Sequence, residues 1–141
     1  MFSQEAMKFI SYATGNSKKR IMVVDDECDI IFTIRKVLEL SGFEIGIFDD
    51  ADLALRKFKV GLFDLAILDI KMPRMNGFEL YIRMKDIDEN IRVIFLSALS
   101  DLQNYAVLKN EVYPKWGQRH FVQKPVGNKD LIERVNLVLS I

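Results

Sequence analysis

The feature that most constrains how this chain can fold is a repeated switch between two hydrophobic periods. From Arg20 to the C-terminus, short and nearly unbroken apolar runs alternate with stretches whose apolar residues recur every three or four positions. Arg20-Ile21-Met22-Val23-Val24-Asp25 is the first run, with the look of a strand covered on both faces and ending in acid. Ile30, Ile31, Ile34, Val37 and Leu38 follow at helical spacing, and Gly42 closes that helix. Phe43 to Phe48 reads as a second strand, and Asp50 is the expected N-cap of a helix carrying Leu53, Ala54, Leu55 and Phe58. Leu65-Ala66-Ile67-Leu68-Asp69 is the third strand, again finishing on a carboxylate. A loop with Pro73 and Gly77 then leads to a helix marked by Phe78, Tyr81, Ile82 and Lys85. Arg92 to Ser97 is the fourth strand. Between Asp101 and Gln118 the signal weakens, because Leu102, Tyr105, Ala106 and Leu108 suit a helix that Pro114 and Gly117 break. His120 to Gln123 is a short fifth strand, and Asn128 is the expected cap of a last helix with Leu131, Val135, Val138 and Leu139 on one face.

Strict alternation of five strands with helices means a parallel sheet covered on both sides. A chain of 141 residues has room for one such domain. Twenty Lys and Arg balance twenty Asp and Glu, which disfavours direct binding to nucleic-acid phosphates. The single cysteine, Cys28, permits no internal disulfide, and no Cys/His set has zinc spacing. No apolar run is long enough to cross a bilayer, and residues 1–20 lack the apolar stretch of a secretory signal. A soluble cytoplasmic domain without a membrane span is the expectation.

In open parallel sheets, reactive groups gather beyond the carboxyl ends of the strands. Those ends carry Asp25, Asp26, Asp69, Ser97 and Lys124. Converging carboxylates repel one another and prefer protonation unless a cation sits among them, and an all-oxygen site with few protein donors suits Mg2+. A lysine and a hydroxyl are what the oxygens of a transferring phosphoryl group need, while one carboxylate can serve as nucleophile and form an acyl phosphate. Taken singly, an acid at a strand end is often a helix cap and a Lys-Pro pair a solvated loop. Taken together at matching strand ends, the five define a site.

These residues sit in recognisable strings: Ile21-Met22-Val23-Val24-Asp25-Asp26-Glu27, Leu68-Asp69-Ile70-Lys71-Met72-Pro73-Arg74-Met75-Asn76-Gly77, Ser97-Ala98 and Lys124-Pro125. In that order, they make the chain resemble a response-regulator receiver domain of two-component signalling. The resemblance implies a flavodoxin-like (βα)5 fold with strand order 2-1-3-4-5, a receiver domain over residues 20–141 and an N-terminal extension, helical or disordered, over residues 1–19. It implies that Asp69 is phosphorylated and that Asp26, Asp69 and the Lys71 main-chain carbonyl bind Mg2+, with Asp25 acting on the metal largely through water. It also implies that Ser97 and Lys124 hold the phosphoryl group, and that Ser97 and Phe121 switch. Lys71 and Leu99 stand where receivers tune hydrolysis of the acyl phosphate. The implied partners are a histidine kinase or phosphotransfer protein as donor and an unknown downstream protein that reads the fourth-helix, fifth-strand face. A homodimer stays open.

The chain also departs from the receiver pattern. The spacing from Ser97 to Lys124 is longer than usual, and the extra residues, within 109–120, include Tyr113 and Trp116. Cys28 replaces a frequent proline at the start of the first helix. Only 16 residues follow Pro125, so the expectation is a stand-alone receiver that is not an enzyme acting on an external substrate. Two alternatives remain in view. One is a receiver-shaped adaptor that works without phosphorylation. The other is a Mg2+-dependent aspartyl-phosphate phosphatase, against which stand Lys71, where a second acid is wanted, and the lack of length for a cap.

Overall fold

The computed structural model of the chain describes residues 3–5, 18–98 and 118–141. Five parallel strands form one sheet in the order β2-β1-β3-β4-β5, as expected. They are β1 (Arg20–Val24), β2 (Glu44–Phe48), β3 (Leu65–Asp69), β4 (Arg92–Ser97) and β5 (Phe121–Gln123). The described helices are α1 (Cys28–Leu40), α2 (Ala51–Lys57), α3 (Gly77–Ile87) and the C-terminal α4 (Asn128–Leu139). The expected helix between β4 and β5, Leu99, Tyr113, Trp116 and most of the extension 1–19 lie outside the described residues.

The unbroken apolar runs of the strands have a direct cause: successive side chains point to opposite faces, and both faces are covered. Met22, Val24, Ala66, Leu68, Val93 and Phe95 face a core shared with Ala54 of α2 and Leu80 and Met84 of α3. Ile21, Val23, Leu65, Ile67, Ile94 and Leu96 face the other core, with Ile34 and Leu38 of α1 and Leu131 and Val135 of α4. Burying each Val, Leu, Ile, Met or Phe side chain among these is worth about 1.5–3 kcal/mol, so the sheet is held mainly by its apolar contacts. Phe95 is the centre of an aromatic group, with ring centroids 4.7 Å from Phe78, 5.9 Å from Tyr81 and 5.4 Å from Phe121.

Three local expectations change. Asn128 is not the cap of α4: extended Gly127 takes that place and Asn128 is already helical. His120 belongs to a 3-10 turn, Gln118–His120, so β5 begins at Phe121. Asp50 does stand at the N-cap of α2, but its side chain makes no capping bond and turns to Arg74 instead. Gly42 ends the α1 region with a φ of 95°, where a Cβ would be strained. At the sheet edge, Arg134 of α4 donates a hydrogen bond to the main-chain carbonyl of Phe121.

Candidate functional site

The parallel register brings the carboxyl ends of β1, β3, β4 and β5 together, and with them Asp25, Asp26, Asp69, Ser97 and Lys124, whereas Phe121 starts β5 and lies in the core. Asp25 follows β1 and is fully buried; its amide donates to the Phe48 carbonyl of β2 at 3.1 Å. The chain then turns so that the Glu27 amide donates to Asp25 Oδ1 at 2.9 Å, leaving Asp26 and Glu27 exposed at the start of α1. Asp69 ends β3 and is 4% exposed. Ser97 ends β4, and its main-chain carbonyl accepts from the Lys124 amide at 2.8 Å, so β4 places the lysine. The Lys124-Pro125 peptide bond is cis.

Lys124 reaches back across these strand ends. Its Nζ lies 2.9 Å from Asp25 Oδ2, 3.1 Å from Asp69 Oδ1 and 3.2 Å from Glu27 Oε1. One ammonium thus answers three carboxylates. Burial raises Asp69 most, the charges of Asp25 and Asp26 add to that, and Lys124 opposes them; the carboxyl is pushed up to about 7. Burial likewise raises Asp25 above the usual carboxylate range against the pull of Lys124. For Lys124, loss of water works against its charge, but the Asp25 and Asp69 carboxylates outweigh that and hold it firmly protonated.

A cleft of about 450 Å³ opens over these groups, lined by Asp26, Glu27, Asp69, Lys71, Met72, Pro73, Ala98 and Lys124. Its chemistry fits a hard cation. Asp25, Asp26 and Glu27 each offer an oxygen within 4.8 Å of the others. Asp25 Oδ2 is buried, with the Lys124 ammonium 2.9 Å away as its counter-charge. For Asp69, the charges of Asp25 and Asp26 add to the effect of burial, and a bound cation would offset that repulsion. Glu27 was given no role from the sequence, and the signal that could have found it is the third acid in the run Asp25-Asp26-Glu27. Lys71 is exposed at the rim, whereas Phe121 is 7% exposed and packed on Phe95.

Fold and site together define a flavodoxin-like α/β domain with an acidic, lysine-bridged pocket at its strand ends. The chain belongs to the response regulator receiver domain family, whose profile matches residues 21–136. It is similar to the transcriptional regulatory protein PrrA of Mycobacterium leprae, 32% identical over 126 residues, covering 89% of this chain and 52% of that protein. It is also similar to the response regulator receiver protein CpdR of Brucella abortus, 28% identical, covering 86% and 97% of the two chains. Among solved structures, a CheY-like receiver domain from Methanospirillum hungatei superposes with a TM-score of 0.73 at 33% identity, covering 88% of this chain and 95% of that one. The chain spans about half the length of PrrA. Receiver domains are signalling modules of two-component systems rather than enzymes that turn over a substrate. Among the described residues, no helix is long and apolar enough to cross a membrane.

Proposed function

We propose that this chain is a response-regulator receiver that takes a phosphoryl group from a histidine kinase or phosphotransfer protein onto Asp69. The observation that carries this reading is the position of the Asp69 carboxylate: all but buried at the cleft, with Lys124 Nζ 3.1 Å from one oxygen. An Asp69 oxygen attacks phosphorus as the bond to the donor histidine nitrogen breaks, and the histidine keeps that bond's electron pair. Lys124 then stays beside the transferred group and neutralises part of its charge, while Ser97 supplies a hydroxyl from the end of β4. Mg2+ would be held by Asp26, Asp69 and the Lys71 carbonyl, with Asp25 behind them, and when bound it would offset charge on the phosphoryl oxygens. In the unphosphorylated chain Lys124 is shared among Asp25, Glu27 and Asp69. Phosphorylation redistributes that ammonium, and Ser97 and Phe121 carry the change to the face formed by β5 and the segment before it, where a downstream protein binds. The reading implies a cytoplasmic protein, with residues 1–19 an extension to the receiver domain at 20–141.

Incubating the chain with acetyl phosphate and Mg2+, then measuring intact mass, tests this directly. One added phosphoryl group that is lost in Asp69→Asn is the expected result. No addition from any donor, with a partner still bound, points to an adaptor; continuous phosphate release from a simple ester points to a phosphatase.

A further inference from the structure

Arg74 has a backbone conformation and a set of partners that the chemistry above does not use. It is the one described non-glycine residue with positive φ, at 66°. The Met75 amide donates to the Pro73 carbonyl at 2.7 Å, so Arg74 is the central residue of a three-residue turn. With positive φ that turn is the rare, strained form, and a side chain bearing a Cβ makes it costlier. Local strain of this kind persists only where surrounding contacts hold it. Two contacts do so here. Met75, the next residue, is buried in the core that also holds Ala51 and Ala54 of α2. The Arg74 guanidinium spans to the start of the same helix, with Nη2 3.1 Å from Asp50 Oδ1 and Nε 3.5 Å from Asp52 Oδ2. Asp50 stands at the N-cap position of α2 and turns Oδ1 to the arginine.

The clasp lies immediately after Lys71-Met72-Pro73, the stretch that lines the cleft beside Asp69. The near end of that stretch is fixed by the sheet, through the Ile70 amide to the Leu96 carbonyl at 3.1 Å. The far end is fixed by the turn, and the Gly77 amide closes the loop onto the Ile70 carbonyl at 2.9 Å. We infer that Arg74 is a positioning residue: clasped to Asp50 and Asp52, it holds Lys71 to Pro73 in the placement that gives the cleft its cation affinity. This rests on the functional reading above only for the cation.

The test uses the full, unphosphorylated chain with Mg2+ as the only ligand. Amide exchange at Met75 and Gly77 and the Mg2+ dissociation constant are measured by NMR for the parent, Arg74→Ala, Asp50→Ala, the double variant and Arg74→Lys. The expected result is faster exchange at both amides and Mg2+ binding about threefold weaker in Arg74→Ala, the scale of one exposed ion pair. The double variant should be no worse than the worse single one, because the two side chains act as a pair. Arg74→Lys should recover part of the loss, since an ammonium reaches one acid but lacks the guanidinium fork. The sign separates positioning from bare charge: removing a cation near an acidic cleft would by itself tighten Mg2+ binding. Unchanged exchange, tighter or unchanged Mg2+ binding, additive losses in the double variant, or no Mg2+ binding by the parent would each overturn the inference. Failure of Asp69 to take a phosphoryl group in the mass experiment, with the Mg2+ results as expected, would instead count against the proposed function alone.

Discussion

Gly77 packs so closely beneath Asp69 that a Cβ added there would lie 2.4 Å from the Asp69 carbonyl oxygen. Backbone blocks the space, and no flexible side chain could swing aside to make room. Gly77→Ala is therefore expected to push α3 away from the end of β3, lowering stability by about 1–3 kcal/mol. Chemical denaturation checks this, and an unchanged midpoint would show that α3 moves freely against the site. A phosphorylation rate that falls by more than the folded fraction would show that the Asp69 carboxylate moves too.

The raised carboxyl of Asp69 gives a pH dependence of definite sign. In the unfolded chain this group ionises near its ordinary value, about 3.9, whereas in the metal-free fold it ionises at about 7. Between those values the folded chain holds the extra proton, so stability falls as pH rises from about 4 to about 7, and Asp25 adds in the same direction. Asp69→Asn should flatten that slope and stabilise the metal-free protein by about 2 kcal/mol at pH 8, with little effect at pH 4. Denaturation midpoints across this range test it; a parental slope of opposite sign would mean that the lysine, not burial, governs Asp69.

Asp26 is exposed and lines the cleft, outside the two core clusters of the described residues. Asp26→Ala should leave the denaturation midpoint within about 0.5 kcal/mol of the parent. Mg2+-dependent phosphorylation by acetyl phosphate should nevertheless drop at least about tenfold, the cost of a lost carboxylate ligand. A variant labelled as fast as the parent would remove Asp26 from the cation site.

Lifetime of the acyl phosphate is the next expectation. Lys71 lines the cleft and carries no group able to deprotonate an attacking water while it remains an ammonium. Leu99, two residues after Ser97, has no polar atom in its side chain. Slow self-dephosphorylation is expected, quickened by Lys71→Asn and by Leu99→Ala. Decay of the phosphorylated protein followed by mass measures it, and equal decay in all three forms would refute shielding by these side chains.

The strands were legible because burial on both faces leaves a continuous apolar run, as in Leu65 to Leu68, and because the strand-end acids interrupt it sharply. Parallel register then places Asp25, Asp69 and Lys124 together without further information. Finer electrostatics were not legible. Glu27 and Lys124 are 97 residues apart in sequence, and their pairing depends on a side-chain rotamer as well as on fold. Asp50 reads as a cap and stands at that position, but its Oδ1 also meets Arg74, 24 residues on, which no local signal shows. Asn128 was misplaced by one residue because extended Gly127 can open a helix with no side chain.

The bond from Arg134 to the Phe121 carbonyl has a meaning for association as well as for packing. Among the described residues, β5 is a three-residue margin strand with a neighbouring strand on one side only, and a bare margin offers its amides and carbonyls to any passing extended chain. The guanidinium occupies one of those acceptors and puts a bulky cation where a sixth strand would have to lie. At this acceptor, an added strand would have to displace the guanidinium before it could extend the ladder.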